Sequence, residues 1–141
     1  MDSFKIVSIK TKKTTIDQVL DFEKKMGYCF PSDYKTFLLK YKGEVFLDTN
    51  YLLVNLKNRK DKVAIFRLDT LQSLSQSWDY LKGYEELKGI IPIGDTLGGG
   101  QFWGLGVNQK NYNKVYLINP DFSKIEVANS FSSFLLKIVF V

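Results

Sequence analysis

The spacing of apolar residues changes period along this chain, from helical to alternating and back, and that change restricts the fold to helices packed on a sheet. In "TTIDQVLDFEKKMG", Thr15 followed by Gln18 forms a capping box. Ile16, Val19, Leu20 and Met26 are expected to form the buried stripe, and Gly27 is placed to end the helix. After a short joint, Pro31 opens a second helix with Tyr34, Phe37, Leu38 and Tyr41 on one face and Gly43 as its stop. Period two then takes over. Residues 45–47, 51–55 and 63–68 read as strands rich in β-branched and aromatic side chains. Helical spacing returns over 70–82, with Leu71, Leu74, Trp78 and Leu81 on the core side and Tyr80 and Tyr84 off it.

The last third is again mostly alternating. Residues 90–94, 101–107, 114–120 and 124–128 are predicted strands, and residues 4–10 form a further strand at an edge. "NSFSSFLLKIV" closes the pattern as a helix capped by Asn129 or Ser130, with Phe131, Phe134, Leu135 and Ile138 buried. Helices gathered near the chain ends around a strand-rich middle predict α+β, not regular βαβ alternation. The expectation is one domain over 1–141. Its mixed or antiparallel sheet has about five to six strands, flanked by an N-terminal helical hairpin, a middle helix and a C-terminal helix.

"GDTLGGGQFWGLG", residues 94–106, holds six of the ten glycines. A Walker loop needs Lys-Ser/Thr after its glycines, and none follows here. A dinucleotide fingerprint would need glycine at position 103, which is Trp, and a helix where the pattern reads strand. The remaining reading is a hairpin. Gly98, Gly99 and Gly100 supply turn conformations. Gly104 and Gly106 flatten one strand face so that a bulky neighbour approaches closely, with Phe102 beside them.

Composition narrows the chemistry. The chain contains no histidine, which removes Ser-His-Asp and Cys-His catalysis and every His-containing metal site. The single cysteine, Cys29, forms neither an internal disulfide nor a thiolate cluster; its apolar neighbours predict a buried, inert thiol. Net charge is +5, with only two arginines, Arg59 and Arg67. Phosphate and base recognition favour arginine, so a lysine-rich solvated surface is the simpler reading. The basic run 57–62 then reads as a solvated turn. The N-terminus lacks a signal-peptide pattern, and the apolar C-terminus is too short to span a bilayer. A cytoplasmic location is expected.

Four segments stand in a familiar order: "FPSDYKTFLLKYKG" (30–43), "IIPIGDTLGGG" (90–100), "VYLINPD" (115–121) and "VANSFSSFLLKI" (127–138). Together they resemble the SUKH superfamily, the Smi/Knr-like proteins, from about Ile16 onward. Pro31, Asp33, Tyr34, Phe37, Leu38, Gly43, Ile91, Pro92, Gly94, Ser130, Phe131 and Phe134 match the family's pattern. Departures include Phe30 for the usual Leu and Tyr-Lys-Gly-Glu for Asn-Gly-Gly after the second helix. Gly100-Gln101 stands where an acidic residue often follows glycine, with Asp95 nearby.

The resemblance implies a bacterial immunity protein that neutralises a cognate polymorphic or contact-dependent toxin by stoichiometric, non-catalytic binding. Fungal members imply the alternative of a regulatory scaffold. No catalytic, cofactor or metal residue is expected. Partner contacts are assigned to Tyr80, Tyr84, Asp95, Phe102 and Tyr112 from predicted exposure. Acidic residues such as Asp79, Glu85, Glu86 and Asp95 would have to cluster for the protein to mimic nucleic acid. Two competing readings are a nucleic-acid module using Lys10, Lys12, Lys13 and 57–62, and a carboxylate enzyme using Asp95 with Asp121. The oligomeric expectation is a monomer or weak dimer.

Overall fold

The computed structural model describes residues 6–11, 14–40, 43–47, 51–53, 63–69, 71–96 and 100–140. The fold is α+β. Strand β1 (Ile6–Thr11) precedes a helical hairpin of α1 (Ile16–Met26) and α2 (Ser32–Lys40). Strands β2 (Gly43–Leu47), β3 (Tyr51–Leu53) and β4 (Val63–Leu68) lead to α3 (Leu71–Leu81). Strands β5 (Ile90–Thr96), β6 (Phe102–Gly106), β7 (Val115–Ile118) and β8 (Lys124–Ala128) follow, then α4 (Phe131–Leu136) and β9 (Ile138–Phe140).

The heart of the sheet is the four-stranded antiparallel meander β5–β6–β7–β8. It continues through β4 and β2 to β1 at the edge, while β3 joins the other end of β4 and pairs with β9. The described residues therefore hold nine strands, not five or six, and each described pairing is antiparallel. All eight segments that read as strands join this one sheet, and a ninth strand is added because the terminal helix stops early. Lys137 caps α4, and Ile138, expected on its buried stripe, begins a short strand against Leu53.

Local chemistry accounts for the element ends. Thr15 Oγ1 accepts from the Gln18 N–H at 3.2 Å and Gln18 Oε1 from the Thr15 N–H at 3.0 Å, closing the capping box. Gly27 ends α1 in the left-handed region at φ 84°. Pro31 accepts the first bond of α2, from the Lys35 N–H, and Ser130 caps α4 through the Ser133 N–H. Gly43, expected as the stop of α2, opens β2, and residues 41 and 42 between the two lie outside the described residues. The run 57–62, Tyr41, Lys12, Lys13, Gly98 and Gly99 lie outside the described residues.

One face of the meander carries the main core. Ile91, Ile93, Trp103, Leu105, Val115, Leu117 and Val127 meet Val19, Phe22, Phe37, Leu38, Leu74, Phe131 and Phe134 from the helices. Aromatic rings link the helical layer: Phe22 stacks on Phe30, Tyr34 meets Phe131 edge-on at 4.8 Å, and Trp103 sits 5.2 Å from Phe134. Asp33 ties α2 to α4. Its Oδ2 accepts from the N–H and hydroxyl of Ser132, both at 2.9 Å, and from the Asn113 amide at 3.3 Å.

The buried stripe of α1 differs from its sequence reading. Val19, Phe22, Glu23 and Met26 are buried, whereas Ile16 and Leu20 are exposed. Glu23 earns its place by bonding. It accepts from the Phe30 N–H at 2.6 Å and pairs with Lys35 at 3.2 Å, anchoring the α1–α2 joint. Cys29 is likewise exposed, not buried, because Phe30 takes the inward position of that joint.

Candidate functional site

The opposite face of the meander is thinner. Ile90, Ile118 and Leu87 form a small cluster, with Leu81, Phe102, Tyr116 and Phe122 packed against it. Gly104 makes this compactness possible: a Cβ there would lie 2.5 Å from Ile118 Cδ1 and 2.7 Å from Ile90 Cγ2. The glycine-rich stretch is thus the β5–β6 hairpin, with Ile91 opposite Leu105 and Asp95 opposite Phe102. Gly100 adopts φ 86° in its turn.

Beside this cluster, α3 and the hairpin enclose a groove of about 440 Å³. Gln76, Ser77, Tyr80 and Leu81 line it from α3; Pro92, Asp95, Gly100, Gln101 and Phe102 line it from the hairpin, with Asp69 between. Positions 76, 77, 80 and 81 share one helical face, so the turn preceding Tyr80 supplies its neighbours. Tyr80 is 79% exposed. Gln101 is held by its amide donating to Asn119 Oδ1 at 2.8 Å, while the Thr96 hydroxyl donates to its carbonyl. The β4–β5 register sets Asp95 opposite Arg67. The groove presents the Asp95 carboxylate, two amides, a phenol and an aromatic ring, with Asp69 buried at its base.

Tyr80, Asp95 and Phe102 are therefore brought together. Tyr84 stands next to the same region, 43% exposed, with its ring 4.8 Å from Phe122 of the small cluster. Tyr112 is not part of it. It sits in the β6–β7 loop, at the other end of β6 from Phe102. Partial burial, then the charges of neighbours including Cys29, Glu23 and Asp33, raise its phenol pKa. Sequence reasoning missed Gln76, Ser77, Pro92 and Gln101. The first two were findable at one turn before Tyr80 and Leu81; the others needed the hairpin placed against α3.

The other flank of α3 is chemically different. Trp78 and Lys82, one turn apart, line a pocket of about 200 Å³ with Met26, Tyr28, Leu87, Lys88, Gly89, Ile90, Ile91 and Val107. Trp78 is half-buried, not fully in the core: its ring meets Phe22 edge-on at 5.6 Å, with Lys82 Nζ 5.1 Å and Lys25 Nζ 5.8 Å from its centroid. Asp79 bridges those two lysines at 3.2 and 3.3 Å, and their hydrogen bonds lower its pKa.

Asp79 and Asp95 do not share one patch. Asp79 belongs to the lysine flank and Asp95 to the groove. Asp121 is exposed and accepts from the Ser123 N–H and hydroxyl at 3.0 and 2.6 Å, which lowers its pKa and makes it a turn former. Among the described residues no three His, Cys, Asp or Glu side chains converge as metal ligands, and no helix is long and apolar enough to cross a membrane.

A search of curated proteins finds no match. The family model does match, over residues 13–137, spanning both helices of the N-terminal hairpin, the meander and α4. The chain belongs to the SMI1 / KNR4 family (SUKH-1).

Proposed function

We propose that this chain is an immunity protein that neutralises a cognate toxin domain by stoichiometric binding, without catalysis. The observation that carries the reading is the SUKH-1 match across residues 13–137, because immunity to polymorphic toxins is the role that this superfamily implies. The residues agree with a binding role. Without histidine, imidazole acid–base and triad chemistry are out of reach. The concave surface between α3 and the β5–β6 hairpin presents Tyr80, Phe102 and Asp95, with Tyr84 beside it, in the aromatic and polar composition of an interface. Tyr112 lies on a separate surface and is a contact only for a partner that reaches the β6–β7 loop.

Mechanistically, the partner is held by a few anchors, and toxicity ends because the toxin's active site or substrate surface is covered. The test is affinity capture from the native host at moderate salt, with and without added nuclease. One stoichiometric partner, unaffected by nuclease and carrying a toxin-like domain that is lethal without this chain, is the expected result. A mixed set of proteins that disappears with nuclease would overturn the reading and favour a nucleic-acid role for the +5 chain.

A further inference from the structure

We propose that the Trp78 pocket is a second contact site, which receives an apolar side chain from an acidic segment of the partner protein. This inference rests on the binding reading above and gives the partner's chemistry at a named place. The floor is apolar: Met26, Leu87, Ile90, Ile91 and Val107, with the Trp78 ring as one wall. Its volume of about 200 Å³ has room for one leucine- or phenylalanine-sized side chain. Lys82 and Lys88 form the rim, and Lys25 stands over the outer part of the Trp78 ring. The lining carries two lysines and no carboxylate among the described residues, and Asp79, outside it, bridges Lys25 and Lys82.

Charge complementarity selects the occupant. A cationic rim around an apolar hole attracts carboxylates flanking an apolar anchor and repels a basic segment. The anchor gains from leaving water, and the lysine ammoniums, about half exposed, remain free to turn from Asp79 to an incoming carboxylate. Gly89 contributes at φ 75°, where the chain turns tightly along the pocket wall beside Asn108. The groove on the other flank of α3 carries Asp69 and Asp95 instead.

The probe is the peptide acetyl-Glu-Asp-Leu-Phe-Asp-Glu-amide, titrated into the full chain and followed by the Trp78 indole and the Gly89 and Val107 amide signals in proton–nitrogen spectra. The expected result is saturable movement of those signals with Kd of about 1 mM or tighter. Affinity should fall at least tenfold with Lys82→Glu/Lys88→Glu, and equally when Ala replaces Phe in the peptide. Both lysines are exposed, and a urea melt of the double variant against the parent checks that the fold is kept. No saturation by about 5 mM, equal binding by the double variant or by a lysine-for-acid peptide, or shifts confined to Gln101 and Phe102 would overturn the proposal. Partner capture that survives Lys82→Glu/Lys88→Glu unchanged sinks the pocket alone. Failure of the wild-type chain to capture a toxin sinks the immunity reading, whatever the peptide does.

Discussion

The two faces of β6 have opposite fates. Trp103 and Leu105 are fully buried against the helices, in an aromatic layer that joins α1, α2 and α4 to the sheet. Phe102 and Gly104, one residue along, face a small cluster and an open groove. The strand thus stores most of its packing energy on one side, because apolar burial scales with the area removed from water. On the other side Ile118 and Ile90 close over Gly104 in a smaller cluster, and the groove lies beside it at Phe102. The alternation of a single strand thus separates the main core from the face to which the proposed partner contact is assigned.

The sharpest way to break that comparison is truncation on the core side. Trp103→Ala should cost about 3–5 kcal/mol, read as a lowered urea midpoint with little change in slope. A loss below about 1 kcal/mol would mean the aromatic layer is not the stabilising face.

Filling the thin side should cost less. Gly104→Ala places a methyl against the Ile118 and Ile90 side chains, and overpacking predicts a loss of about 1–3 kcal/mol. If the variant is as stable as the parent, the small cluster is slack, and the glycine serves another purpose.

Tyr34 sharpens the core side by its one polar atom. Its hydroxyl is buried and has no hydrogen-bond partner among the described residues. Burial, and then the negative charge of Asp69, push its pKa well above the ordinary 10.0. The unfolded phenol titrates near that ordinary value, so above it the unfolded chain sheds a proton that the folded chain keeps. Stability is therefore independent of this group's titration below pH 10 and falls as pH rises from there towards the folded-state pKa. Tyr34→Phe should therefore raise stability by about 1 kcal/mol at neutral pH and flatten the alkaline fall. An unchanged alkaline profile, followed by urea melts between neutral and alkaline pH, would remove Tyr34 as its source.

The smallest effect on stability is predicted in the groove. Tyr80→Ala should shift it by no more than about 0.5 kcal/mol, because the side chain is 79% exposed. Its partner affinity should nevertheless drop by about tenfold or more if it is an anchor. A variant that melts early yet binds normally would reverse the division between the two faces.

Much of the fold was legible because its signals are local. The Thr15 capping box, the Gly27 stop, the Ser130 cap and the Trp103/Phe102 alternation each depend on a few neighbouring residues. Glu23 was passed over for the opposite reason. Its position falls on the buried helical face, but a carboxylate is accepted there only because Phe30 N–H and Lys35 converge on it. Ile16 and Leu20 looked like core by type and spacing, yet both are exposed. Ile138 follows the spacing of α4 but leaves the helix to pair with β3. The candidate surface was legible in part: exposure alone suggested Tyr80, Asp95 and Phe102, and also Tyr112, which the β6–β7 loop carries elsewhere.

By itself, the sequence determined the α+β class, the hairpin at the glycine-rich stretch, the helix caps and the closure of histidine-based chemistry. Those follow from residue type and short-range spacing. Only the tertiary structure decided which side of α3 meets the hairpin, and so placed an aromatic, carboxylate-bearing groove on one flank and a lysine-rimmed apolar pocket on the other. The reason is physical: a period assigns residues to a face, but the partner of that face is chosen by contacts between elements far apart in the chain.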